Sequence, residues 1–157
     1  MPASPVRVDF LCDRPALVPE LVRWFEDEWT PYYGPDGPGV GTAESDIREC
    51  CNRDSLPLAL VALDDGERLI GTAALKMDPL GTHPRLGPWL AALVAASDAA
   101  ETALVQGIET EAARLGSDVI YTGMEEGSPV LLRRGWSVIG QSKSLRGPIA
   151  VYEKVLK

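Results

Sequence analysis

Two apolar runs joined by a tight turn constrain this chain more than any other feature. LPLALVALD, residues 56–64, is almost continuously apolar, and ERLIGTAALKMD, residues 67–78, returns from Asp64-Asp65-Gly66-Glu67. Runs this short, bounded by turn residues, read as strands, and Gly at the tip makes the pair a hairpin. PWLAALVAAS, residues 88–97, adds a third strand with the same apolar character. Strands apolar on both faces belong in the middle of a sheet that is covered on both sides.

The segments around this hairpin supply the cover. VRVDFLC, residues 6–12, alternates like a strand, and Asp13 with Pro15 reads as the cap and first turn of a helix carrying Leu17, Leu21, Trp24, Phe25 and Trp29. TPYYGPDGPGVG, residues 30–41, is a Gly/Pro-rich loop, after which Thr42 or Ser45 caps a short helix through Ile47, Cys50 and Cys51. PLGTHPRLGP, residues 79–88, is a second loop. Beyond the third central strand, Leu104, Ile108, Ala112 and Leu115 form a helical stripe that Gly116 ends. DVIYTGM, residues 118–124, is a strand, SPVLLRRG a short helix closed by Gly135, and WSVIGQ and PIAVYEKVL are two closing strands. The order β, α, α, β, β, β, α, β, α, β, β predicts one α/β domain over residues 1–157, a mixed sheet with helices on both faces.

Composition narrows the partners. A formal charge of -8 argues against nucleic acid and against anionic membrane surfaces, and suits a basic ligand such as an amine. The opening MPASPVRVDFLCDRP lacks a signal-peptide core, and no apolar run is long enough to span a bilayer, so the expected location is the cytoplasm. Cys12, Cys50 and Cys51 have no metal-ligand spacing and read as free thiols; no metal site is expected.

In element order and in phrase, the chain resembles the GNAT superfamily, the Gcn5-related N-acetyltransferases. LPLALVALDDGERLIGTAALK resembles that family's central hairpin, PWLAAL the start of its fourth strand, ETALVQGIETEAARLGSDVIYTG its long helix and following strand, and LLRRGWSVIGQ its C-terminal helix and strand. The resemblance implies the GNAT (acyl-CoA N-acyltransferase) fold, a mixed splayed β-sheet, and transfer of an acetyl group from acetyl-CoA to a small-molecule amine. It implies that the pantetheine amides pair with fourth-strand backbone at Leu93, Val94 and Ala95. The diphosphate would then meet the next helix at Ala100, Glu101 and Thr102. A homodimer is the assembly such families often form.

The chain departs from the family pattern twice. Where members carry an Arg- and Gly-rich phosphate loop, this chain reads LVAASDAAETALV, with Asp98 and Glu101 spaced like a helix N-cap and its third residue. Those carboxylates would satisfy the helix's free N–H groups and repel a diphosphate. Where many members place a tyrosine acid, this chain has Leu131. Such losses leave a second reading open, a non-catalytic GNAT-fold binding or interaction protein.

Several residues remain as candidates. Glu125 and Glu126 follow the fifth strand, where ligands of α/β sheets bind; either could take a proton from an ammonium, or be solvated loop charges. Tyr121 could serve as acid or be a packed tyrosine. Trp29, Tyr32 and Tyr33 border the first loop, where aromatics could clamp a substrate cation or anchor the loop by packing. Arg133 and Arg134 could reach phosphates, or complement the dipole of their own helix. His83 sits in a loop with no second ligand nearby.

Overall fold

The computed structural model describes residues 5–29, 42–77, 87–125, 127–144 and 147–156. The described elements are β1 (Arg7–Phe10), α1 (Val18–Glu28), α2 (Ala43–Glu49), β2 (Leu58–Leu63), β3 (Leu69–Lys76), β4 (Trp89–Ala95), α3 (Asp98–Arg114), β5 (Val119–Met124), α4 (Pro129–Arg133), β6 (Ser137–Ser144) and β7 (Gly147–Val155). They follow the order expected from sequence. The seven strands form one sheet ordered β1-β2-β3-β4-β5-β7-β6, antiparallel except between β4 and β5.

The uninterrupted apolar run of β2 is explained by its two faces. Leu58, Leu60 and Ala62 join Leu75, Leu90, Leu104, Ile108 and Ile120 beneath α3. Ala59, Val61 and Leu63 face the other way and pack with Leu21, Phe25 and Ile47 of α1 and α2. Successive strand residues point to opposite faces, so two buried faces demand apolar residues at every position. Gly71 of β3 marks a close approach between strand and helix: a Cβ there would lie 2.8 Å from Leu104 Cδ1 and 3.0 Å from the Val94 carbonyl oxygen.

Three local expectations need correction. The first strand ends at Phe10 rather than Cys12, because the chain bends into 3-10 turns at Leu11–Asp13 and Pro15–Leu17 that drop Leu11 into the core. Asp13 therefore caps no helix; α1 starts at Val18 without a side-chain cap, and Asp13 pairs with Arg53 instead. Asp98 does not cap α3 either. The N-cap is Ser97, whose hydroxyl accepts from the Ala100 N–H at 3.1 Å. At the other short helix the choice between Thr42 and Ser45 resolves into both: Thr42 is the N-cap, and Ser45 returns the bond to the Thr42 N–H. Among the described residues no helix is long and apolar enough to cross a membrane.

Candidate functional site

The site is set by where β4 and β5 part. They pair in parallel only through Trp89↔Tyr121 and Leu90↔Thr122. The Thr122 hydroxyl donates to the Leu90 carbonyl at 2.8 Å, closing the last contact between them. Beyond Leu90, the β5-facing edge of β4 has no strand partner among the described residues, while β3 continues to pair along its other edge to Ala95.

A bulge produces the divergence. The β3–β4 register runs Ala74↔Ala91 and then Thr72↔Val94, so one residue of β3 is opposed by two of β4. Ala92 sits in this bulge with φ 53°, a left-handed conformation that strains an alanine. Bulges bend a strand and increase its twist, and this one begins two residues after the last β4–β5 pair. Leu93, Val94 and Ala95 therefore lie half-buried along an open backbone edge. Such an edge accepts amides from an extended ligand as it would a further strand.

The far end of this edge runs into the start of α3. Ser97 occupies two amides there: its hydroxyl takes the Ala100 N–H, and its carbonyl takes the Glu101 N–H at 3.0 Å. Ala100 is also fully buried. Thus Ala100 and Glu101, expected to hold a diphosphate by their amides, have those amides engaged within the helix, and Thr102 lies further into the helix. Arg133 of α4 reaches across to this point, its Nη2 lying 3.0 and 3.1 Å from the two oxygens of the Asp98 carboxylate. Arg133 thus faces the start of α3, where it is held by a carboxylate. Burial, and then the neighbouring Asp98, push the Glu101 carboxyl above its ordinary pKa, with Arg133 offsetting part of the shift.

Arg134 turns the other way. With Lys154 and the Trp136 indole it converges on Glu109, a buried carboxylate in the middle of α3. Glu109 Oε1 accepts from Arg134 Nη2 and Lys154 Nζ, both at 2.8 Å, and Oε2 from Arg134 Nε at 3.1 Å and Trp136 Nε1 at 3.0 Å. Burial raises the carboxyl's pKa, but the three donors outweigh it and hold Glu109 below its ordinary value. Sequence reasoning missed this cluster. The available signal was a glutamate on the buried side of a helix, between Ile108 and Ala112, which requires a cationic partner.

At the C-terminal end of β5, Glu125 is exposed. Its carbonyl accepts from the buried Tyr152 hydroxyl at 2.7 Å, and the same hydroxyl accepts from the Ser128 N–H at 3.2 Å. Tyr152, also missed from sequence, thereby ties the loop carrying Glu125 to the sheet. Leu131, where the family resemblance implied a tyrosine, is fully buried in the α3 core.

Tyr121 is mostly buried, its ring 5.7 Å from that of Trp89; burial first, and the nearby Glu153 carboxylate second, raise its pKa. Trp29 meets Phe25 edge-on at 4.9 Å on the α1–α2 side. Tyr32, Tyr33, Glu126 and His83 lie outside the described residues. The three cysteines are free; Cys50 is buried, and burial pushes its thiol up to about 11. Among the described residues no cluster of His, Cys, Asp and Glu could hold a metal ion.

The fold has many counterparts among solved structures. An aminoglycoside 6'-acetyltransferase type Ii superimposes with a TM-score of 0.71 at 20% identity, covering 96% of this chain and 97% of that one. A GCN5-related N-acetyltransferase from Kribbella flavida matches with a TM-score of 0.71 at 18% identity, covering 96% and 97%. An aminoglycoside 6'-N-acetyltransferase complexed with coenzyme A matches with a TM-score of 0.68 at 18% identity over the same shares. The likeness establishes the GNAT acetyltransferase fold. No family model matches the sequence, and no curated protein does.

Proposed function

We propose that this protein is an N-acetyltransferase that passes an acetyl group from acetyl-CoA to a small cationic amine. The observation that carries the reading is the open β4 edge. Two strand pairs followed by a bulge at Ala92 leave the β5-facing edge of β4 without a strand partner among the described residues from Leu93 to Ala95, in a fold whose neighbours include an acetyltransferase crystallised with coenzyme A.

The residues fit the parts of that donor unequally. Neutral amides along β4 suit the pantetheine arm. The start of α3, with Asp98, Glu101 and a serine cap, does not suit the diphosphate. When bound, acetyl-CoA supplies the thioester: the amine's C–N bond forms as the C–S bond breaks, one N–H proton is released, and the thiolate leaves.

This chain's contribution is alignment and charge. The β4 edge fixes the arm, so that the acyl carbon is presented where the strands separate. Glu125, at the end of β5, attracts the ammonium and accepts its proton. The net charge of -8 favours cationic acceptors at longer range. We assign no acid role to Tyr121, which packs against Trp89 and whose pKa burial raises further from the working range. A thiol of ordinary pKa, about 8.5, can leave as the thiolate and take its proton from water.

Calorimetric titration with acetyl-CoA at low salt, followed by thiol-release assays on a panel of amines, tests the reading. Micromolar to sub-millimolar binding and turnover with at least one amine class are expected. Absence of heat and of thermal shift at millimolar acetyl-CoA would sink it. Glu125→Gln should lower kcat by about a hundredfold with little change in donor affinity, the scale of one lost general base.

A further inference from the structure

The two ends of the donor groove have opposite chemistry, and we infer that this protein recognises its acyl donor through the pantetheine arm alone. Its donors are then pantetheine thioesters as a class, and the adenosine diphosphate end of coenzyme A adds no affinity. The inference rests on the acetyl-transfer reading and specifies its substrate.

Three features at the start of α3 carry it. First, Ser97 consumes the Ala100 and Glu101 amides, leaving only the Asp98 and Ala99 N–H groups without a partner among the described residues. Second, the nearest guanidinium, Arg133, is already matched to the Asp98 carboxylate by two contacts of 3.0 and 3.1 Å. With Glu101 counted, two carboxylates and one guanidinium leave this point with a net negative charge. Third, the turn from Ala96 to Ala99 contains no glycine, so every residue brings a side chain to where a diphosphate would need close backbone approach. Burial and Asp98 raise the Glu101 pKa, consistent with a site where added negative charge is disfavoured.

The β4 edge differs in kind. Leu93, Val94 and Ala95 present neutral backbone along a half-buried strand, with no charged side chain among them. An arm with two amides gains the same bonds there whether or not a nucleotide follows. The helix dipole attracts a diphosphate and the surplus carboxylate repels it; the two effects are of similar size, so they nearly cancel.

The test is isothermal titration of the intact protein with acetyl-CoA and with S-acetyl-pantetheine, at low and at physiological salt. The native protein should bind the two donors within about threefold of each other, and salt should not weaken acetyl-CoA, because salt screens repulsion as well as attraction. Asp98→Asn, at an exposed position, removes one negative charge and releases Arg133. It should tighten acetyl-CoA by about tenfold, the effect of about 1.4 kcal/mol, and leave S-acetyl-pantetheine unchanged. A native preference for acetyl-CoA above tenfold, falling with salt, overturns the inference while leaving acetyl transfer intact. So does an Asp98→Asn effect that is equal for both donors. Failure of both donors to bind overturns the acetyl-transfer reading together with it.

Discussion

Replacing Glu109 by alanine should destabilise this protein more than any other single polar substitution on α3. The side chain is 8% exposed and accepts four hydrogen bonds from three residues, Arg134 and Trp136 in the segment between α4 and β6 and Lys154 on β7. Trp136 is 2% exposed, so its indole N–H has no route to water once the carboxylate is gone; an orphaned buried donor costs about 1–3 kcal/mol. Arg134 and Lys154 retain 27% and 20% exposure and can turn outward, so each loses less than the 3–5 kcal/mol of a fully buried pair. A total near 3 kcal/mol follows, which for a domain of this size is a fall in Tm of about 6–12 °C. Urea denaturation, with the slope compared between variants, measures it. Glu109→Gln, which keeps the volume and an acceptor for the indole, should fall between native and alanine. The pH dependence has a definite sign. The folded carboxyl is held below its ordinary value of 4.5, so below that pH the unfolded chain takes up protons that the native state refuses. The stabilisation is therefore complete above about pH 4.5 and is lost as pH falls through the folded value. The native and Glu109→Gln stabilities should converge in acid. A loss under about 1 kcal/mol for the alanine variant, with a pH profile parallel to native, would refute the reasoning and reduce the cluster to ordinary surface pairs.

Leu131→Tyr, which places a phenol at the start of the core under α3, should fail to raise kcat. The leucine is 0% exposed, and forcing a phenol into that core should lower stability by about 1–3 kcal/mol, readable in the same denaturation assay. Gly71→Ala should weaken donor binding: Leu104 Cδ1 can swing away from the new methyl, but the Val94 carbonyl is strand backbone and can yield only by shifting β4. Calorimetry with S-acetyl-pantetheine should show several-fold weaker binding, and unchanged affinity would mean the β4 edge is not the donor contact. Tyr152→Phe should release the Glu125 loop, costing about 1–3 kcal/mol and speeding hydrogen exchange at the Ser128 amide; protection equal to native would contradict that tie.

By itself the sequence determined the element order, the hairpin at Asp64–Glu67 and the two-faced burial of β2. Strand and helix periods are local, and a residue's burial on one face or both is recorded in its neighbours two or four positions away. It also determined that the segment entering α3, Ala96 to Ala99, carries no glycine and that position 131 is a leucine. The α3 cap was misplaced by one residue, on Asp98, because its spacing to Glu101 matches a capping pair; the path of the chain leaving β4 put Ser97 there. Ala92 gave no signal of a left-handed bulge residue, since alanine adopts that conformation only when the surrounding sheet enforces it. Nor could the divergence of Arg133 and Arg134 be read from a dipeptide: one ends on Asp98 and the other on Glu109, in an α-helix more than twenty residues upstream. Tertiary structure decided those points because a splayed strand edge and a shared carboxylate exist only once distant segments are packed together, where unpaired charge and unpaired backbone first become costly.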